Sequence, residues 1–145
     1  MKAEPIVVER VYNAPAHRVW EAITDKEKMA KWYFQLDRFE PTVGFEFSFE
    51  GGSENQTYVH LCKVVEVVPG KKIAYTWRYK DHPGNSLVTW EVIPEGDQTR
   101  LKLTHEGLET FPQDKPDFAK SSFQAGWTDI VGKLLKDFVE TTSNS

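Results

Sequence analysis

Between Gly44 and His105 apolar and polar residues alternate through several short runs, each closed by turn residues. A half-buried strand puts successive side chains on opposite faces, so this two-residue period calls for an antiparallel sheet with one covered side. Phe45, Phe47 and Phe49 share one face against Glu46, Ser48 and Glu50. The stretch Gly51 to Gln56 reads as turn, and Tyr58 to Val68 as a long strand ending at Pro69-Gly70. Ile73, Tyr75, Trp77 and Tyr79 alternate through the next strand, and Asp81-His82-Pro83-Gly84-Asn85 turns into Leu87 to Ile93. Pro94-Glu95-Gly96-Asp97 turns again, before a last strand with Leu101, Leu103 and His105 on one side.

A sheet with one apolar face needs a cover, and the chain supplies a helix at its C-terminal end. At about 100° per residue, Phe123, Trp127, Ile130, Val131, Leu134 and Phe138 fall within an arc of roughly 100°. Ser121 and Gln124 have capping-box spacing, which places the helix start at Ser121 and leaves Lys120 off the stripe. Glu106 to Asp117 is expected as a loop. Upstream, Ile6 to Tyr12 reads as a first strand, and Pro15 suits a first helical turn. Val19, Trp20 and Ile23 form the buried side of that helix; Thr24 and Glu27 cap a second, running to about Trp32. The expected fold class is α+β: a curved six-stranded antiparallel sheet around a long C-terminal helix, with two short helices after the first strand. One domain, residues 1–145 with a core of about 6–140, accounts for the length.

Composition narrows the function classes. The net charge is −4 with both signs interspersed, unlike the clustered basic face of a nucleic-acid binder, so no nucleic-acid partner is expected. A single cysteine, Cys62, excludes an intramolecular disulfide and reads as an inert strand thiol. No signal-peptide pattern opens the chain and no apolar run approaches the ~20 residues of a membrane span, so a cytoplasmic protein without membrane insertion is expected. The histidines His17, His60, His82 and His105 show no ligand spacing, which leaves metal and cofactor at none. Neither a GxSxG elbow nor a glycine-rich phosphate loop is present.

Several pieces, in order, resemble a known family. They are Ala14-Pro15 with Val19-Trp20, Trp32 closing the second helix, Gly44 before an aromatic strand, and Val64 to Pro69 with Tyr75-Thr76-Trp77. Thr99 to Gly107 and Gly126-Trp127 complete the set. Together they resemble the helix-grip fold of the START and birch-pollen-allergen superfamily, in the branch named for activators of the heat-shock-protein-90 ATPase. The resemblance implies a cavity between sheet and helix for a lipid-like, aromatic or polyketide-like molecule. It also implies two alternatives: a chaperone partner, and a cyclase or hydrolase acting on the bound molecule. Chaperone-activating relatives in eukaryotes carry an added N-terminal domain that is not seen here.

Aromatic residues make up 13 % of the chain, including five Trp, and rings on the covered face are the candidate lining. The expected ligand-binding set is Trp32, Phe34, Phe47, Phe49, Trp77, Tyr79, Trp90, His105, Phe123, Trp127 and Val131. For each the alternative is plain core packing. His105 is the one weak catalytic candidate, as acid or base, against a structural role tying the loop to the sheet end. Gly126 is read as allowing close approach to the sheet, or as leaving room for a ligand.

Overall fold

The computed structural model describes residues 5–32, 39–52, 57–80, 82, 84–111 and 120–141, with backbone alone at 32, 51, 52, 57, 109, 120–122 and 141. Strand β1 (Ile6–Tyr12) is followed by helices α1 (Ala16–Thr24) and α2 (Lys26–Trp32). Then come β2 (Glu46–Gly52), β3 (Thr57–Val68), β4 (Lys72–Tyr79), β5 (Ser86–Glu95) and β6 (Gln98–Glu106). A short 3-10 turn, Leu108–Thr110, precedes the C-terminal helix. The sheet order is β1-β6-β5-β4-β3-β2 and every pairing is antiparallel. The expected meander and α+β class are therefore present, with β1 laid beside β6.

Each strand turns its apolar set to one side. Ile6, Val8 and Tyr12 of β1, Phe47 and Phe49 of β2, and Tyr75, Trp77 and Tyr79 of β4 are buried there. So are Val88, Trp90 and Val92 of β5 and Leu101, Leu103 and His105 of β6. The long strand β3 departs from simple alternation, because its register against β4 shifts between Val64 and Glu66. Before this bulge Tyr58, His60, Cys62 and Val64 face the core; after it Val67 packs inward and Val68 is exposed. A one-residue bulge swaps the two faces of everything beyond it.

The short helices start differently from expectation. Pro15 stands just outside α1 in an extended conformation, and its carbonyl accepts from Arg18 N at 3.1 Å and Val19 N at 3.3 Å. Thr24 does not cap α2, since its hydroxyl donates back to the Trp20 carbonyl at 2.7 Å. The cap is Asp25, whose Oδ1 accepts from the N–H groups of Glu27 at 2.9 Å and Lys28 at 3.3 Å. A carboxylate serves better than a hydroxyl here, because it also meets the positive end of the helix dipole. Gly51 and Gly52, expected as turn, extend β2. Within the expected loop after β6, Leu108 and Phe111 are buried anchors.

The C-terminal helix begins at Lys120, one residue before the expected cap, and has three parts. It is α-helical over α3 (Lys120–Asp129), π-helical over Ile130–Leu135, and α-helical again over α4 (Lys136–Thr141). The buried residues are Phe123, Trp127, Val131, Leu135 and Val139, each four apart. In an unbroken α-helix a four-residue step overshoots a full turn by about 40°, so four steps would drift by about 160°. The wider π turn absorbs that drift and keeps the stripe on the sheet. Leu134 consequently lies outside the stripe, 44 % exposed, and Phe138 is only partly buried. Tyr12 holds this segment by donating its hydroxyl to the Val131 carbonyl at 2.5 Å. Leu135→Ala is therefore expected to cost about 2–5 kcal/mol in urea unfolding. Leu134→Ala should cost under about 1 kcal/mol, and the reverse ranking would mean an uninterrupted α-helical register.

Candidate functional site

His105 lies at the centre of the covered face, fully buried, and both of its ring nitrogens are engaged. Trp127 Nε1–H donates to His105 Nδ1 at 2.9 Å. An indole N–H can only donate, so Nδ1 carries no proton and the ring proton sits on Nε2. Nε2–H then donates to Ser86 Oγ at 2.7 Å, and Ser86 Oγ–H donates to the Trp77 carbonyl at 2.7 Å. One directional chain of three hydrogen bonds thus runs from the covering helix through β6 and β5 to β4. Burial pushes the His105 pKa down to about 3, which keeps the ring neutral.

The chain resembles a nucleophile–base pair only in outline. A histidine that activates a serine must offer Nε2 as an unprotonated acceptor, with a carboxylate or carbonyl accepting from Nδ1. Here a donor occupies Nδ1, the opposite tautomer is locked, and the serine proton already points at a carbonyl. As drawn, neither ring nitrogen has a free lone pair for a substrate.

Around this relay the rings meet edge to face. Trp127 packs on Trp77 at 5.4 Å between centroids and on Trp90 at 5.7 Å. Phe123 packs on His105 at 5.2 Å and Phe111 on Tyr79 at 5.4 Å. Toward β2, His60 stacks on Phe49 at 4.5 Å and meets Trp77 and Tyr79 edgewise. Polar ends inside the cluster satisfy one another: Trp77 Nε1–H donates to Tyr79 Oη and Trp90 Nε1–H to Tyr75 Oη, both at 2.9 Å. What remains facing inward is apolar ring surface without charge.

Of the expected site residues, Phe47, Phe49, Trp77, Tyr79, Trp90, His105, Phe123, Trp127 and Val131 all lie buried on the covered side. The Trp32 side chain and all of Phe34 lie outside the described residues. Gly126 contradicts the close-approach reading, because a Cβ there would meet nothing within 4 Å. Ser86 and His60 belong to the cluster without having been singled out; only pairing across strands brings them in. Two concavities are described, of about 380 Å³ and about 360 Å³, and neither is lined by the C-terminal helix. Among the expected residues only Phe47 borders one of them. No group of three or more potential metal ligands occurs among the described residues. No helix among them is long and apolar enough to cross a membrane.

A curved antiparallel sheet gripping one long helix over an aromatic interior defines the helix-grip class. The chain belongs to the family described as "Activator of Hsp90 ATPase homolog 1-like protein", whose model matches residues 13–140. Among solved structures, it is similar to protein CV1439 from Chromobacterium violaceum, with 27 % identity and a TM-score of 0.77 over 94 % of this chain and 96 % of that one. Protein MLL2253 from Mesorhizobium loti is likewise 27 % identical, with a TM-score of 0.77 over 97 % of this chain and 99 % of that one. Protein BH1534 from Bacillus halodurans is 25 % identical, with a TM-score of 0.74 over 96 % and 99 %. No match was found among the curated proteins.

The buried histidines set a pH dependence. His105 falls to about 3 and His60 to about 4, both through burial, with backbone hydrogen bonds to Phe49 and Tyr58 partly opposing it at His60. Unfolded histidine takes up a proton near pH 6.5. The neutral folded forms therefore stabilise the protein fully above that pH, and the contribution is lost as pH falls toward 4 and 3. Each ring accounts for up to about 1.4 kcal/mol per pH unit in that window. Urea unfolding of wild type should weaken from pH 6.5 to 4.5, and His60→Phe should flatten the slope by up to one proton. Parallel slopes would mean that His60 titrates normally in the folded state.

Proposed function

We propose that this chain is a small-molecule-binding domain whose ligand is apolar and at least partly aromatic, seated between the sheet and α3. The observation that carries the reading is the inner aromatic cluster, in which every tryptophan N–H described there is paired internally and the side chains are uncharged rings packed on one another. Such a lining favours flat, uncharged ligand surface over anions or sugars. The ligand-contact set is Phe47, Phe49, Trp77, Tyr79, Trp90, Phe123, Trp127 and Val131. His105 is assigned a positioning role: it sets the orientation of Trp127 and through Ser86 the end of β4. The locked tautomer favours binding over turnover, since catalysis by His105 would require the relay to break first. A heat-shock-protein-90 partner rests on the family description alone and is kept as an outcome of testing.

The experiment is a titration with N-phenyl-1-naphthylamine, a neutral aromatic probe, followed by tryptophan fluorescence and amide NMR. Saturable 1:1 quenching is expected, with shifts at Phe49, Trp77, Phe123 and Trp127. Absence of saturation, or shifts confined to the outer sheet face, would overturn the reading. Stimulation of a chaperone ATPase by the unliganded protein would favour the partner role instead.

A further inference from the structure

On the opposite side of the sheet the larger concavity, about 380 Å³, is lined by Glu46, Ser48, Leu61, Lys63, Thr76, Arg78 and Asn85, with Phe47 and Cys62 also bordering it. Pairing register explains the grouping. Glu46, Lys63 and Thr76 form one row across β2, β3 and β4, and Ser48, Leu61 and Arg78 form the next. Lys63 and Arg78 are thus diagonal neighbours on one face, close enough for long side chains to share a ligand.

Some outer-face cations are held in ion pairs. Lys72 pairs with Glu66 at 3.2 Å, and Arg100 pairs with Glu95 at 2.8 Å and Glu9 at 3.7 Å. The Lys63 ammonium and the Arg78 guanidinium make no ion pair among the described residues, although Glu46 sits across from Lys63 in register. Two like charges side by side repel, and an anion between them removes that repulsion. Two cations and one carboxylate leave one positive charge, which matches a monoanion. The Ser48 and Thr76 hydroxyls and the Asn85 amide add neutral polar groups, and Leu61 supplies apolar surface between Ser48 and Arg78. Guanidinium recognises a carboxylate through two parallel hydrogen bonds, and the apolar strip suits an organic body.

We infer that the groove over β2, β3 and β4 is a binding site for a small organic carboxylate, held between Arg78 and Lys63 and separate from the aromatic interior. It lies on the other face of the sheet, so occupancy of one site does not require occupancy of the other.

The test uses benzoate and inorganic phosphate in amide NMR titrations of the full chain at low ionic strength. Benzoate is expected to shift Ser48, Leu61, Lys63, Thr76 and Asn85 saturably. Arg78→Gln should weaken this at least about tenfold. Lys102→Gln, a cation elsewhere on the outer face, should leave it unchanged. Shifts that fail to saturate, that persist in Arg78→Gln, or that weaken equally in Lys102→Gln would overturn the site. Phosphate shifting the same amides at equal or lower concentration would overturn the carboxylate assignment. Benzoate shifts confined to Trp77 and Trp127 would show the aromatic interior, and not this groove, as the carboxylate's site.

Discussion

The contact on which the rest depends is the 2.9 Å hydrogen bond from the Trp127 indole to Nδ1 of His105. It joins the covering helix to the sheet at a point where burial is complete and no solvent can substitute. Because the indole can only donate, this bond alone decides the histidine's tautomer. The tautomer then decides the direction of the bonds to Ser86 and Trp77. Each such bond is worth about 1 kcal/mol net, yet losing one partner strands a buried polar atom at about 1–3 kcal/mol. The relay therefore works as a registration device: it tolerates one helix position, one ring orientation and one protonation state.

The π segment serves the same end further along. The helix must present Trp127 to His105 and still lay Leu135 and Val139 on the sheet, and a uniform α-helix cannot hold that four-residue stripe. The widened turn at Ile130–Leu135 resolves the conflict, with Tyr12 bonded to the Val131 carbonyl inside it. Past it the helix is held by further links: Arg18 donates to the Val139 carbonyl at 3.3 Å, and Asn13 N–H to Glu140 Oε2 at 2.8 Å. The helix is thereby joined by polar bonds to the sheet through His105 and Tyr12, and to α1 and the turn before it through Arg18 and Asn13, with aromatic rings lying between sheet and helix.

Period-two alternation made the sheet legible in the sequence, because each of its strands keeps a strict in-and-out order over most of its length. Burial of the expected site residues Phe47, Phe49, Trp77, Tyr79, Trp90 and His105 followed from the same pattern, and that of Phe123, Trp127 and Val131 from the helical period. What escaped were changes of phase by one residue. The bulge after Val64 and the π turn at Ile130 carry no compositional mark, and the stripe was placed on Leu134 where a four-residue step leads to Leu135. At the start of α2, Thr24 and Asp25 are adjacent cap formers, and only the backbone path chooses between them. His105 was readable as inward, but its partners were not. Ser86 and Trp127 lie 19 and 22 residues away, and nothing local in the sequence says that an indole will face Nδ1.

The most direct test of this account is nitrogen-15 NMR of the His105 ring as a function of pH. The relay predicts an unprotonated, pyridine-type Nδ1 and a protonated Nε2 at neutral pH, with no change of state down to about pH 4. A ring protonated at Nδ1, or one that titrates near 6.5, would contradict it.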